Sequence, residues 1–189
     1  MGQISTTDFR KGLKIEIEGE AFIMVDFQHV KPGKGTAFVR TRIKSLASGN
    51  VLERTFRSGD KVDSPDLEER TMQYLYAEGD TFHFMDQDTY EQISLDRVHL
   101  GDGAVYLKDQ LVVKVLYHNG KPLGVELPTF VVVKVIETKP GVRGDTATGG
   151  TKPATVEGGA VVQVPLFVEQ GEVIKVDTRD ATYVERVSK

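Results

Sequence analysis

Ala21-Phe22-Ile23-Met24-Val25-Asp26-Phe27-Gln28-His29-Val30 and Thr36-Ala37-Phe38-Val39-Arg40-Thr41-Arg42-Ile43-Lys44 flank the short segment Lys31-Pro32-Gly33-Lys34-Gly35. Both flanks are rich in aromatic and β-branched residues, which suit the pleated, half-buried surface of a strand. The segment between them suits a turn. Pro32 fixes φ at its first corner, Gly33 is expected to take the positive φ of the next type II position, and Gly35 adds a second permissive residue. The sequence therefore predicts a long β-hairpin with Lys34 at its tip. At about 3.3 Å of rise per residue, five or six unpacked residues on each arm would carry that tip roughly 15–20 Å from its core. A Walker phosphate loop is excluded, because the leading glycine is missing and Gly35 stands where Ser or Thr must follow the lysine.

An isolated lysine in a Gly-Pro turn is ordinarily a solvated turn residue. Here its surroundings add meaning. From Phe27 to Leu52 there is no Asp or Glu, while Lys31, Lys34, Arg40, Arg42 and Lys44 are all cationic. Such a hairpin points to phosphate. The net charge of −4 hides this, because residues 1–64 carry 11 Lys and Arg against 8 Asp and Glu, residues 65–127 carry 5 against 12, and residues 128–189 carry 8 against 8. The three thirds stand at +3, −7 and 0. Only parts of the chain are expected to face nucleic acid.

With 189 residues, 39% hydrophobic and 28% charged, the composition is that of a globular protein. The start, Met1-Gly2-Gln3-Ile4-Ser5-Thr6-Thr7-Asp8, lacks the basic and apolar regions of a secretory signal, and no run approaches the roughly 18 apolar residues of a membrane span. A cytoplasmic location with no membrane partner is expected. The absence of cysteine removes disulfides, thiolate metal sites and a cysteine nucleophile.

Period-two alternation in Leu13-Lys14-Ile15-Glu16-Ile17-Glu18 marks a half-buried strand turned back by Gly19. Similar hairpins are expected around Glu78-Gly79-Asp80, His118-Asn119-Gly120-Lys121 and Thr178-Arg179-Asp180, the Asn-Gly turn being the strongest signal. Helix is expected only in short pieces, at Pro65 to Glu69 and Asp102 to Asp109. The fold class is all-β, in three small barrel domains at 1–64, 65–127 and 128–189.

No catalytic constellation is found. His29, His83, His99 and His118 lack metal-ligand spacing, Asp86 and Asp88 lack the rest of a calcium loop, and there is no nucleophile elbow. No enzyme, metal or cofactor is expected. Tyr74, Tyr76, Phe82, Phe84 and Tyr90 fit either a base-stacking platform or a core. The segment from Pro140 to Thr155 is too rich in Gly, Thr and Pro for regular structure; with Arg143 and Lys152 it fits either RNA contact or a flexible connector.

The chain as a whole resembles bacterial elongation factor P. The resemblance rests on Asp8-Phe9-Arg10-Lys11-Gly12-Leu13, on Val30 to Phe38, on Tyr74-Leu75-Tyr76, and on Gly144-Asp145-Thr146-Ala147-Thr148-Gly149-Gly150-Thr151-Lys152-Pro153-Ala154-Thr155. Val164-Pro165-Leu166-Phe167-Val168 and Gly171-Glu172-Val173-Ile174-Lys175-Val176 extend it. The related hypusine-containing factor lacks a third domain, so residues 128–189 favour the bacterial factor. The resemblance implies an elongated, tRNA-like monomer with an SH3/KOW-like domain followed by two OB-folds. It implies binding to the 70S ribosome between the P and E sites, with ribosomal RNA and the P-site peptidyl-tRNA as partners. The implied function is promotion of peptide bond formation at consecutive prolines. Lys34 would reach toward the CCA end and be extended by a lysine-modifying enzyme. Gly144, Asp145, Thr146, Gly149, Gly150 and Lys152 would belong to a loop near the E-site codon, and Tyr183 and Arg186 would make ribosomal contacts. Two rivals are a generic OB-fold RNA-binding or RNA-chaperone protein and an enzyme using Lys34 as a Schiff-base amine, which needs a desolvated pocket.

Overall fold

The computed structural model describes residues 2–141 and 150–187, and sixteen strands run through them. The all-β class follows from the alternation. Strands β1 (Gln3–Ser5), β2 (Lys14–Ile17), β3 (Glu20–Val30), β4 (Phe38–Ser45), β5 (Val51–Arg57) and β6 (Lys61–Asp63) form one sheet in the order β1-β6-β2-β3-β4-β5. In β4 the side chains of Val39, Thr41, Ile43 and Ser45 are buried while Arg40, Arg42 and Lys44 are exposed. The buried set packs with Ile15, Phe22, Met24 and Phe56, and Phe9 meets Phe56 edge-on at 5.5 Å. Thr41 can sit in this core because its hydroxyl donates to the Arg54 carbonyl at 2.7 Å.

The second sheet has the order β11-β10-β7-β8-β9, built from β7 (Leu67–Glu78), β8 (Thr81–Asp86), β9 (Gln92–Asp96), β10 (Val112–His118) and β11 (Lys121–Glu126). Asn119 and Gly120 both have positive φ, 51° and 74°, as a two-residue primed hairpin turn requires. Helix forms as α1 (Arg97–Leu100) running into a 3-10 turn over Gly101–Tyr106. It begins earlier than the expected Asp102 to Asp109 segment and overlaps it as far as Tyr106. The expected helix at Pro65 to Glu69 does not form, because Leu67 opens the twelve-residue β7 and strand pairing overrides the local pattern.

The last five strands, β12 (Phe130–Thr138), β13 (Thr151–Val156), β14 (Val161–Pro165), β15 (Val173–Asp177) and β16 (Thr182–Arg186), close a barrel in the order β12-β13-β14-β16-β15. Its interior holds Val131, Val133, Val135, Val162, Val164 and Ile174.

By packing, the chain forms two compact units, residues 1–70 with 115–125, and residues 71–114 with 126–189. In the first, Glu16 and the buried His118 approach at 2.9 Å and the Arg70 guanidinium lies 4.4 Å over the Tyr117 ring. In the second, Tyr106 belongs to the barrel core, with Val105, Leu111 and Leu127 packed against it.

Candidate functional site: the hairpin tip and the C-terminal barrel

The arms β3 and β4 pair out to Val30 opposite Phe38, and Lys31, Pro32, Gly33, Lys34, Gly35 and Thr36 are all exposed beyond that pair. Lys34 therefore sits at the tip. The turn chemistry differs from expectation in one respect: Gly35, not Gly33, takes the positive φ, at 113°. A Cβ built on Gly35 would lie 3.7 Å from the Pro32 ring, so the loop folds back on its own proline. Lys34 is exposed, so it does not sit in the desolvated pocket that a Schiff-base amine needs.

Below the tip, register places four rows on the outward face. Val30, Phe38 and Arg57 form the first, Gln28, Arg40 and Thr55 the second, Asp26, Arg42 and Glu53 the third, and Ile23, Lys44 and Val51 the fourth. The run that is free of acids in sequence is thus not free of them in space. Asp26 and Glu53 lie directly across from Arg42 on either side. Asp26 also binds Lys11 at 3.1 Å, and that contact, with the Phe27 backbone and Arg42 beside it, lowers its pKa.

In the C-terminal barrel, Lys152 is 6% exposed and its Nζ donates to the Lys139 carbonyl at 2.7 Å. This is not the solvent-facing cation expected from the sequence. Thr138 Oγ1 donates to the Pro153 carbonyl at 3.0 Å, so two hydrogen bonds tie the end of β12 to the start of β13. Lys152 lines a pocket of about 450 Å³ with Thr138, Pro140, Gly141, Glu169 and Gln170. Gly150 is half-buried, whereas Arg143, Gly144, Asp145, Thr146 and Gly149 lie outside the described residues. Tyr183 is half-buried against the barrel core. Arg186 is exposed, stacks 5.5 Å over the Phe167 ring and donates to Glu172 at 3.0 Å. The backbone N–H of Glu169, with help from Arg186 and the Lys152 charge, holds the Glu172 carboxyl below its usual value.

The aromatic set of the second sheet divides. Phe82 and Phe84 are core residues and Tyr74 leans on Phe84 at 5.6 Å, whereas Tyr76 is exposed and stacks on His83 at 4.5 Å. Glu78 lies 3.6 Å from His83, so the remaining platform is flanked by negative charge. No cluster of metal-binding side chains occurs among the described residues, and no helix there is long and apolar enough to cross a membrane.

Three family profiles match in succession: the Elongation factor P (EF-P) KOW-like domain over residues 5–62, the Elongation factor P (EF-P) OB domain over 67–125, and the Elongation factor P, C-terminal domain over 131–186. The chain is 56% identical over 183 residues to the elongation factor P of Moorella thermoacetica, covering 97% of this chain and 99% of that protein. This chain belongs to the elongation factor P family. The protein of Microcystis aeruginosa is likewise 56% identical over 97% of this chain and 99% of its own length, and that of Natranaerobius thermophilus is 53% identical over 97% and 98%. Among solved structures, eukaryotic translation initiation factor 5A from Methanococcus jannaschii matches with TM-score 0.53 and 27% identity, over 66% of this chain and 93% of that one. As an elongation factor P, the chain is a translation elongation factor, and the ribosome is the partner that this role implies. Sequence reading missed Arg57, Asp26, Glu53 and Glu172 as neighbours of site residues. For the first three, strand register is the signal that reveals them, since one correctly placed pair fixes the rows beyond it as far as the next bulge.

Proposed function

We propose that this elongation factor P acts in the cytoplasm on the 70S ribosome between the P and E sites. There it orients peptidyl-prolyl-tRNA so that peptide bonds form at consecutive prolines. The observation that carries this reading is Lys34, an exposed lysine between two glycines on a tip at the end of paired arms. Such a side chain suits insertion into a narrow, RNA-lined space, and a modifying enzyme that extends its amine would lengthen its reach. The protein contributes geometry rather than a catalytic residue, since holding reactants in a near-attack arrangement can remove several kcal/mol of barrier. The cationic rows of the hairpin would meet RNA phosphates, and Arg186 would dock the C-terminal barrel. Lys152 would act through the β12–β13 connection that it ties, not by touching RNA itself.

The test is translation of reporters with and without consecutive prolines, titrated with wild type and Lys34→Ala. Loss of one exposed side chain changes stability and binding little, within about 0.5 kcal/mol. At saturation, however, the variant is expected to rescue the proline reporter about tenfold more slowly, equivalent to about 1.4 kcal/mol of barrier. In the same experiment the intact mass of protein from its native cell should show an addition confined to the peptide containing Lys34. Full-speed rescue by Lys34→Ala at saturation would refute the assignment.

A further inference from the structure

We infer that the phosphate-binding part of the hairpin is a two-arginine site made by Arg40 and Arg57, directly below the tip, and that Arg42 takes no part in it. This rests on the reading that the hairpin meets ribosome-bound RNA and names which of its cations do so.

The site is built by register. Arg57 pairs with Phe38 and Arg40 with Thr55, so the two arginines are diagonal neighbours on adjacent strands of one face. Diagonal positions lie about 7–8 Å apart, and two long side chains from them can take the same or successive phosphates of one strand. Their direction is fixed by what packs between them: Val39 and Phe56, the intervening pair, are buried, which turns Arg40 and Arg57 outward. Both arginines are exposed, and the two rows nearest the tip hold no carboxylate. The acid closest to Arg57 in the chain is Asp60, and its Oδ2 is taken by the Arg57 backbone N–H at 2.8 Å. Lys31 and Lys34 continue the positive charge into the tip.

One row further down the balance reverses. Arg42 has Asp26 on one side and Glu53 on the other. An RNA phosphate approaching Arg42 must displace or tolerate two like charges directly across from it, whereas the rows of Arg40 and Arg57 hold no carboxylate, Asp26 and Glu53 being only diagonal to Arg40. The row of two acids therefore ends the phosphate track that begins at the tip. Sequence alone suggests the opposite choice, since Arg42 lies inside the acid-free run and Arg57 lies outside it beside Glu53 and Arg54.

The experiment measures binding to 70S ribosomes carrying P-site tRNA as a function of salt. Each lost phosphate contact reduces the slope of log K against log salt by about one. Arg57→Gln and Arg40→Gln are each expected to lower the slope by about that amount, Arg42→Gln to leave it unchanged, and Arg57→Lys to retain it. Glu53→Gln, which relieves Arg42 of one neighbour, should make the slope steeper, a gain that a folding defect cannot mimic. An unchanged slope for Arg57→Gln, or an equal loss for Arg42→Gln, would overturn the inference while leaving the ribosomal reading intact. Failure of the wild-type protein to bind the ribosome would instead remove the reading on which it rests.

Discussion

Asp177 ends β15 and sets the turn that returns the chain as β16, the strand carrying Tyr183 and Arg186. Its Oδ1 accepts the backbone N–H and Nε of Arg179, each at 3.0 Å, and its Oδ2 accepts Nη2 at 2.6 Å. The Arg179 guanidinium, then its backbone N–H, hold the carboxyl at about 2, against an ordinary 3.8. Because the folded-state value is the lower one, the stabilisation is fully present above about pH 4 and is lost as the pH falls through about 2. Asp177→Asn is expected to lower the thermal midpoint at neutral pH and to flatten its decline between pH 4 and 2, as followed by circular dichroism. An acid limb as steep as wild type would exclude Asp177 as a source of the pH dependence. At this scale, sequence and structure agree where the local chain decides the outcome. The exposed position of Lys34 was legible, though not which of its glycines turns the chain, and the Asn119-Gly120 turn was legible too. Lys152 was not, because a lysine among Gly, Thr and Pro reads as solvated, and only the barrel wall around it makes it a buried donor to Lys139.

The hairpins were legible as elements because buried and exposed positions alternate along them, but the alternation slips wherever a residue is inserted. Val25, Ile136 and Val184 are such insertions, each standing between two paired residues of its own strand and each exposed, at 39%, 51% and 42%. In sequence each looks like a core residue beside other apolar neighbours, because nothing local marks a bulge. The pairing of Asp26 and Glu53 with Arg42 was hidden for a related reason: it depends on register between strands, not on order within one. For the β12–β13 connection the structure changes which effect a mutation should have. Lys152→Met keeps the stem but leaves the Lys139 carbonyl without this donor, a loss of about 1–3 kcal/mol. The variant should unfold at lower denaturant and need a higher concentration for rescue of the proline reporter, while reaching nearly the wild-type rate at saturation. A reduced plateau with unchanged half-saturation would instead give Lys152 a part at the reaction centre, which its burial argues against.

On the scale of the chain, the all-β class was legible from alternation and turn signals, but which distant segments meet was not. Contacts such as Glu16 with His118 join residues 102 positions apart, and no spacing rule anticipates them. Within the second unit the barrel and the segment from Gly101 to Leu111 form one body, and Gly158 shows how closely they fit. A Cβ on Gly158 would stand 2.3 Å from the Val105 carbonyl oxygen and 3.1 Å from that of Leu107. Its neighbour Gly159 has nearly the same backbone, φ 98° against 93°, yet a Cβ there meets nothing within 4 Å. The pair separates backbone strain from packing. Gly159→Ala should cost only the left-handed strain, about 1–2 kcal/mol. Gly158→Ala should add about 1–3 kcal/mol of overpacking against backbone that has no rotamer to yield. Denaturant unfolding of both variants measures the difference, and ribosome binding by folded Gly158→Ala should weaken as well, because the barrel that carries Arg186 would be pried from its support. Equal stabilities for the two variants would mean that the contact at Val105 yields freely and that the barrel is not held there.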